Sequence, residues 1–219
     1  MRNWIAASAL CVASICAHAD TIPGIVFTAT TDRTYPEFGQ VSDIGSASVG
    51  WAGTPFRQYW RGFGEFDLAG LQPVSSAVLS FDYKSYISNL EGENNLLIST
   101  MFVQAYVGDN SASVQDIFAP TVGTIGSFII ESKELNETLS FDVTTLLNEA
   151  LARGDAAFGV RLHVTGAGFD SLGLATFARY DNFTLVASNI PEPGTYALML
   201  AGLGFAAVAR RVRARRSLG

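Results

Sequence analysis

In four stretches of this 219-residue chain apolar side chains return at every second position, and that period of two commits the middle of the molecule to β-strands. In VLSFDYKSY, residues 78–86, Leu79, Phe81 and Tyr83 share one face. LLISTMFVQAYVG, residues 96–108, is long enough for a core strand, and RYDNFTLVAS, residues 179–188, reads as the last strand. FGVRLHV, from residue 158, sends Phe158, Val160, Leu162 and Val164 inward and Arg161 and His163 outward. Gly, Asn, Asp and Pro separate these runs, as turns between antiparallel strands require. One segment breaks the pattern. In FDVTTLLNEALARGD, Asp142 is placed to cap a helix whose apolar stripe is Leu146, Leu147, Ala150 and Leu151, and Gly154 is placed to end it. The fold class predicted is all-β, a jelly-roll-like antiparallel β-sandwich with one short helix over an open end of the core.

The two ends of the chain differ from this middle. Arg2 precedes an apolar stretch from Trp4 to Cys16, followed by Ala17-His18-Ala19, the small-x-small pattern that a signal peptidase accepts. The expectation is a signal peptide over 1–19 and a mature chain starting at Asp20. Both cysteines, Cys11 and Cys16, lie inside that leader, so no disulfide staples the mature body. Residues 20–189 are enough for one domain with an ordinary hydrophobic core. The overall charge of −6 conceals a split. Residues 20–190 hold 8 Lys and Arg against 19 Asp and Glu, whereas residues 195–219 hold five arginines and no acid. An acidic body argues against nucleic acid as a partner.

The end of the chain, PEPGTYALMLAGLGFAAVARRVRARR, has three physically distinct parts. Pro191, Glu192 and Pro193 form a stiff tripeptide that neither helix nor sheet accommodates, which leaves it extended and open to a protease. Residues 195–209 carry no charge, and at about 1.5 Å per residue they make a short transmembrane helix. Arg210, Arg211, Arg213, Arg215 and Arg216 stop it on the cytoplasmic side, their stems reaching into the bilayer and their guanidinium groups at its surface.

In this order the three parts closely resemble the PEP-CTERM sorting signal of exported bacterial proteins. The resemblance implies a tail over 190–219 that an exosortase, a membrane-embedded cysteine protease, recognises and removes. It implies a Gram-negative source making exopolysaccharide and biofilm matrix, and a protein held briefly in the membrane by its C-terminal helix before reaching the cell surface or the medium. Two phrases of the body, RGFGEFDLAGLQPVSSAVLSF from residue 61 and SFDVTTLLNEALARGDAAFGVRL from residue 140, resemble more weakly the DNRLRE type of exported β-sandwich domain, related to carbohydrate-binding modules. That resemblance implies the fold and a glycan affinity, and names no binding residue.

The mature chain has no Cys and a single His, His163, so a Cys-His dyad is excluded and neither a Ser-His-Asp triad nor a zinc site has its residues. The expectation is no catalytic residue, no metal and no cofactor. Calcium is the ion that the oxygen-rich loops at 89–95 and 108–116 would suit, although neither has EF-hand spacing. Flat rings are the remaining signal. Residues 50–66 contain Trp51, Phe56, Tyr59, Trp60, Phe63 and Phe66, and of these Trp51, Tyr59 and Trp60 are the candidate glycan-stacking residues. The sequence therefore supports an exported noncatalytic envelope or matrix protein whose partners are signal peptidase, exosortase and polysaccharide. The alternative is a secreted glycan-active enzyme using a carboxylate pair drawn from Glu65, Asp67, Asp82, Glu91 and Glu93.

Overall fold

The computed structural model describes residues 19–32, 39–52, 58–88, 100–130, 135–165 and 176–189. Residues 1–18 of the signal peptide, the sorting tripeptide, the apolar run, the arginines, Phe56, and Glu91 and Glu93 with the loop at 89–95 all lie outside the described residues.

Among the described residues, the alternation seen in the sequence becomes eleven strands. They are β1 (Ala19–Ile22), β2 (Gly24–Asp32), β3 (Gln40–Ser42), β4 (Ala47–Ala52), β5 (Gln58–Asp67), β6 (Val74–Ser88), β7 (Thr100–Gly108), β8 (Thr121–Ile129), β9 (Thr138–Asp142), β10 (Ala157–Thr165) and β11 (Thr176–Asn189). Every pairing among them is antiparallel. The main path runs β8-β7-β10-β5-β4-β11-β6-β9, with β2 on β5, β3 on β2 and β1 on β11. The all-β expectation holds, in the form of one continuous sheet that curls almost into a barrel. Its two end strands approach each other: the Phe128 and Phe141 ring centroids lie 6.4 Å apart, and a Cβ at Gly126 would come within 2.7 Å of the Phe141 ring.

Long strands make the curl possible. The N-terminal half of β11 pairs with β4 and its C-terminal end with β1, while β6 follows it along its whole length through three register shifts. Such irregularities increase local twist and let one strand serve two walls. The main core fills the inside with Leu79, Phe81, Tyr83, Val103, Val160, Leu162, Tyr180 and Leu185. The face expected for Leu79, Phe81 and Tyr83 is the buried one.

Helix α1 spans Thr144–Arg153 and adds Leu147 and Ala150 to this core. Gly154 ends it at φ 76°, as expected, with its N–H donating to Leu151 O at 3.1 Å. The start differs from expectation. Val143 holds the N-cap position without a side-chain cap, and Asp142 Oδ1 instead accepts the N–H and hydroxyl of Thr144. Asp142 is still the last residue of β9, so its carboxylate arrives one residue too early and closes a local turn. Asn148 ties the helix to the sheet by bonding both the N–H and the carbonyl of Val74, thereby acting as a piece of neighbouring strand.

Candidate functional site

Strand β5 is buried on both faces, and this double burial builds the site. Gly62 and Phe66 face the main core, while Phe63 belongs to a second, smaller core with Phe27, Ala29, Tyr106 and Ile117. Alternation puts Arg61 and Glu65 on the same face as Phe63. Phe27 stacks on Phe63 at 5.0 Å and Tyr106 meets it edge-on at 5.9 Å. The cover is the connection between β7 and β8, residues 109–120, which contains a single 3-10 turn, Val114–Ile117.

Polar groups join this cover to the sheet. Glu65 is fully buried; its Oε1 accepts the Tyr106 hydroxyl at 2.7 Å and its Oε2 accepts the N–H groups of Asp109 and Ser111 at 3.1 and 3.2 Å. At the far end of the turn, Arg161 Nη1 donates to the carbonyls of Asp116, Ile117 and Ala119, and Nη2 donates to Gln104 and Thr121. Arg61 Nη1 donates to Ile117 O at 2.7 Å. Two guanidinium groups thus meet the carbonyls that end a helical turn, where positive charge is favoured. Burial pulls both below the usual arginine value, and for Arg61 the neighbouring Arg161 adds to the effect.

Arg161 lies outward on β10, as expected. It points away from the main core, but only 6% of it is exposed, because the 109–120 cover lies over it. His163, also outward on β10, lies against the Phe102 ring at 5.4 Å. Burial, followed by Arg61 and Arg161, lowers its pKa to about 4, which keeps it neutral.

Carboxylates from Glu65, Asp109 and Asp116 come within 4.8 Å of one another. Asp116 stands third in the turn and accepts the Ser113 N–H at 3.0 Å, while the Ser113 hydroxyl accepts from Gln115 N–H at 3.0 Å, a reciprocal capping box. Burial and the Glu65 charge raise the Asp116 pKa to about 7. The oxygen-rich loop at 108–116 meets a further acid, Glu65. Hydrogen bonds already occupy both Glu65 oxygens and one of Asp116, and they account for the cluster's cohesion. Among the other acids named from the sequence, Asp67 accepts from Ala69 N–H and Asn110, and Asp82 accepts from Thr138, Asn182 and Lys84. Those bonds bring Asp82 down to about 2.

The aromatic candidates lie at the other end of β5. The Trp51 backbone pairs with Tyr59 and Thr176, and Trp60 pairs with Gly50 and Thr30. Tyr59 and Trp60 are half-buried on opposite faces of the strand. Sequence reasoning missed the Arg161, Glu65 and Tyr106 network, since its members come from three strands; the density of oxygen groups at 108–116 was the signal that could have found it.

Fold and cluster define an antiparallel β-body whose polar interior clamps one of its own loops. The remaining identification comes from the tail: residues 189–216 match the family model described as the PEP-CTERM protein-sorting motif. A chain with this motif is an exported protein, sorted and processed by an exosortase and anchored in the membrane before reaching the surface. A search of curated proteins returns no match. The resemblance of the body to the DNRLRE type has no counterpart in these findings.

Proposed function

We propose that the body acts outside the cell as a noncatalytic envelope or matrix protein that contacts extracellular polysaccharide. The observation that carries this reading is the change along β5. Residues 62–66 are buried, whereas Gln58, Tyr59, Trp60 and Arg61 are only half-buried, and Trp51 stands in register opposite Tyr59. Rings beside polar neighbours at a strand end suit the apolar faces of sugars. The test is affinity electrophoresis through the host polysaccharide. Trp60→Ala should lose its retention with a nearly unchanged melting curve. A stability loss of about 3 to 5 kcal/mol, with retention kept, would make Trp60 a packing residue instead.

The competing reading, a glycan-active enzyme, keeps Glu65 of the acids named from the sequence and would pair it with Asp116, which the sequence reading did not name. Their carboxylate oxygens lie within 4.8 Å of each other, but Glu65 has no exposed surface for a sugar to reach. Release of reducing ends from a polysaccharide panel, abolished in Glu65→Gln, would establish the enzyme.

A further inference from the structure

The last strand and the sorting motif meet without a spacer. β11 ends at Asn189, the motif match begins at 189, and only Ile190 separates the strand from Pro191. The strand end is held on two sides. Ser188 stands opposite Ala19 of β1 and Ser76 of β6, and Asn189 stands opposite Val74. The Ser188 carbonyl also accepts the Ser75 hydroxyl at 3.1 Å, and Ala187 is buried in the main core.

A protease reads its substrate as an extended strand over several residues on each side of the cut, supplying main-chain hydrogen bonds of its own. On the N-terminal side of Pro191 those bonds are already used by the sheet. We propose that residues 187–189 are shared between the sheet and the sorting protease, so that the tail is cut only while they are out of the ladder, and the grip of β1 and β6 sets the rate. The inference rests on reading the tail as a sorting signal. It also orders the two processing steps. Removal of a leader ending at Ala19 takes away the residue opposite Ser188, loosening one of the two ladders and favouring the tail cut afterwards.

The test follows tail removal from the full chain by pulse-chase and intact mass in a host with the exosortase. Thr21 and Val186 are register partners on the outward face, and the mature body has no competing thiol, so Thr21→Cys with Val186→Cys can lock β1 to β11. The locked protein, melting at or above the wild-type temperature, should be processed about tenfold more slowly, in proportion to the lost open fraction. Either single cysteine variant should behave as wild type. A flexible six-residue spacer between Ile190 and Pro191 should restore the locked protein to the wild-type rate, and in the unlocked protein should speed processing. Wild-type processing of the locked protein, or an unlocked rate unchanged by the spacer, would overturn the proposal. Complete absence of tail removal from wild type and spacer forms alike would overturn the sorting reading along with it.

Discussion

Asp116→Asn tests whether the carboxylate cluster stores repulsion. The unfolded chain holds this carboxyl near 3.8 and the folded chain holds it at about 7. Between those values the folded state binds the extra proton, so Asp116's contribution to stability is full below pH 4, declines as pH rises, and is lost above pH 7. About three pH units at roughly 1.4 kcal/mol each set a ceiling of about 4 kcal/mol. Asp109 of the same cluster is exposed, and screening there reduces the expected value to about 2 kcal/mol. Asparagine keeps an oxygen for the Ser113 N–H and removes the charge. In a chelating buffer at pH 8 the variant should therefore be more stable by about 2 kcal/mol, a rise in melting temperature of about 4 to 8 °C for a body this size. At pH 4.5 the two proteins should melt within about 2 °C of each other. His163 contributes a slope of the opposite sign between pH 4 and 6.5, since it is held neutral in the fold, so the difference between variants carries the result rather than either curve alone. A variant less stable at pH 8, or a gap independent of pH, would refute the reasoning.

Three further outcomes are expected. Arg161→Met leaves the Asp116 and Ala119 carbonyls without their guanidinium donor and should cost about 1 to 3 kcal/mol in urea unfolding, because buried acceptors lose a hydrogen-bond partner. Gly159→Ala places a methyl within 2.7 to 2.8 Å of three atoms of the Tyr106 ring, which Glu65 holds in place, and should lower stability by about 1 to 3 kcal/mol in the same assay. Intact mass of protein released from the native host should correspond to a chain from Asp20 to a residue near Pro191, without Arg210, Arg211, Arg213, Arg215 and Arg216; a released form that keeps them contradicts tail removal.

Much of this molecule is written locally. The two-residue period of Leu79, Phe81 and Tyr83 specifies a strand and its buried face, Gly154 specifies where α1 stops, and the order of tripeptide, apolar run and arginines specifies an exported chain with a sorting tail. Each of these depends on residues within a few positions of one another, and local chemistry is enough to determine them. The cap of α1 shows the limit even of local reading, since Asp142 is paired with Val78 in the sheet and Val143 takes the N-cap position. Arg161 shows the larger limit. Alternation correctly turns it away from the main core, but whether that face meets water depends on a connection more than 40 residues earlier in the chain. The sheet had to curl, and the 109–120 segment had to fold back over β5, β7 and β10, before Glu65, Tyr106, Asp116 and Arg161 became neighbours. Pattern in the sequence reports which side of a strand is apolar; what covers the other side is settled by long-range contacts, whose gain must repay the entropy of closing the loops between them.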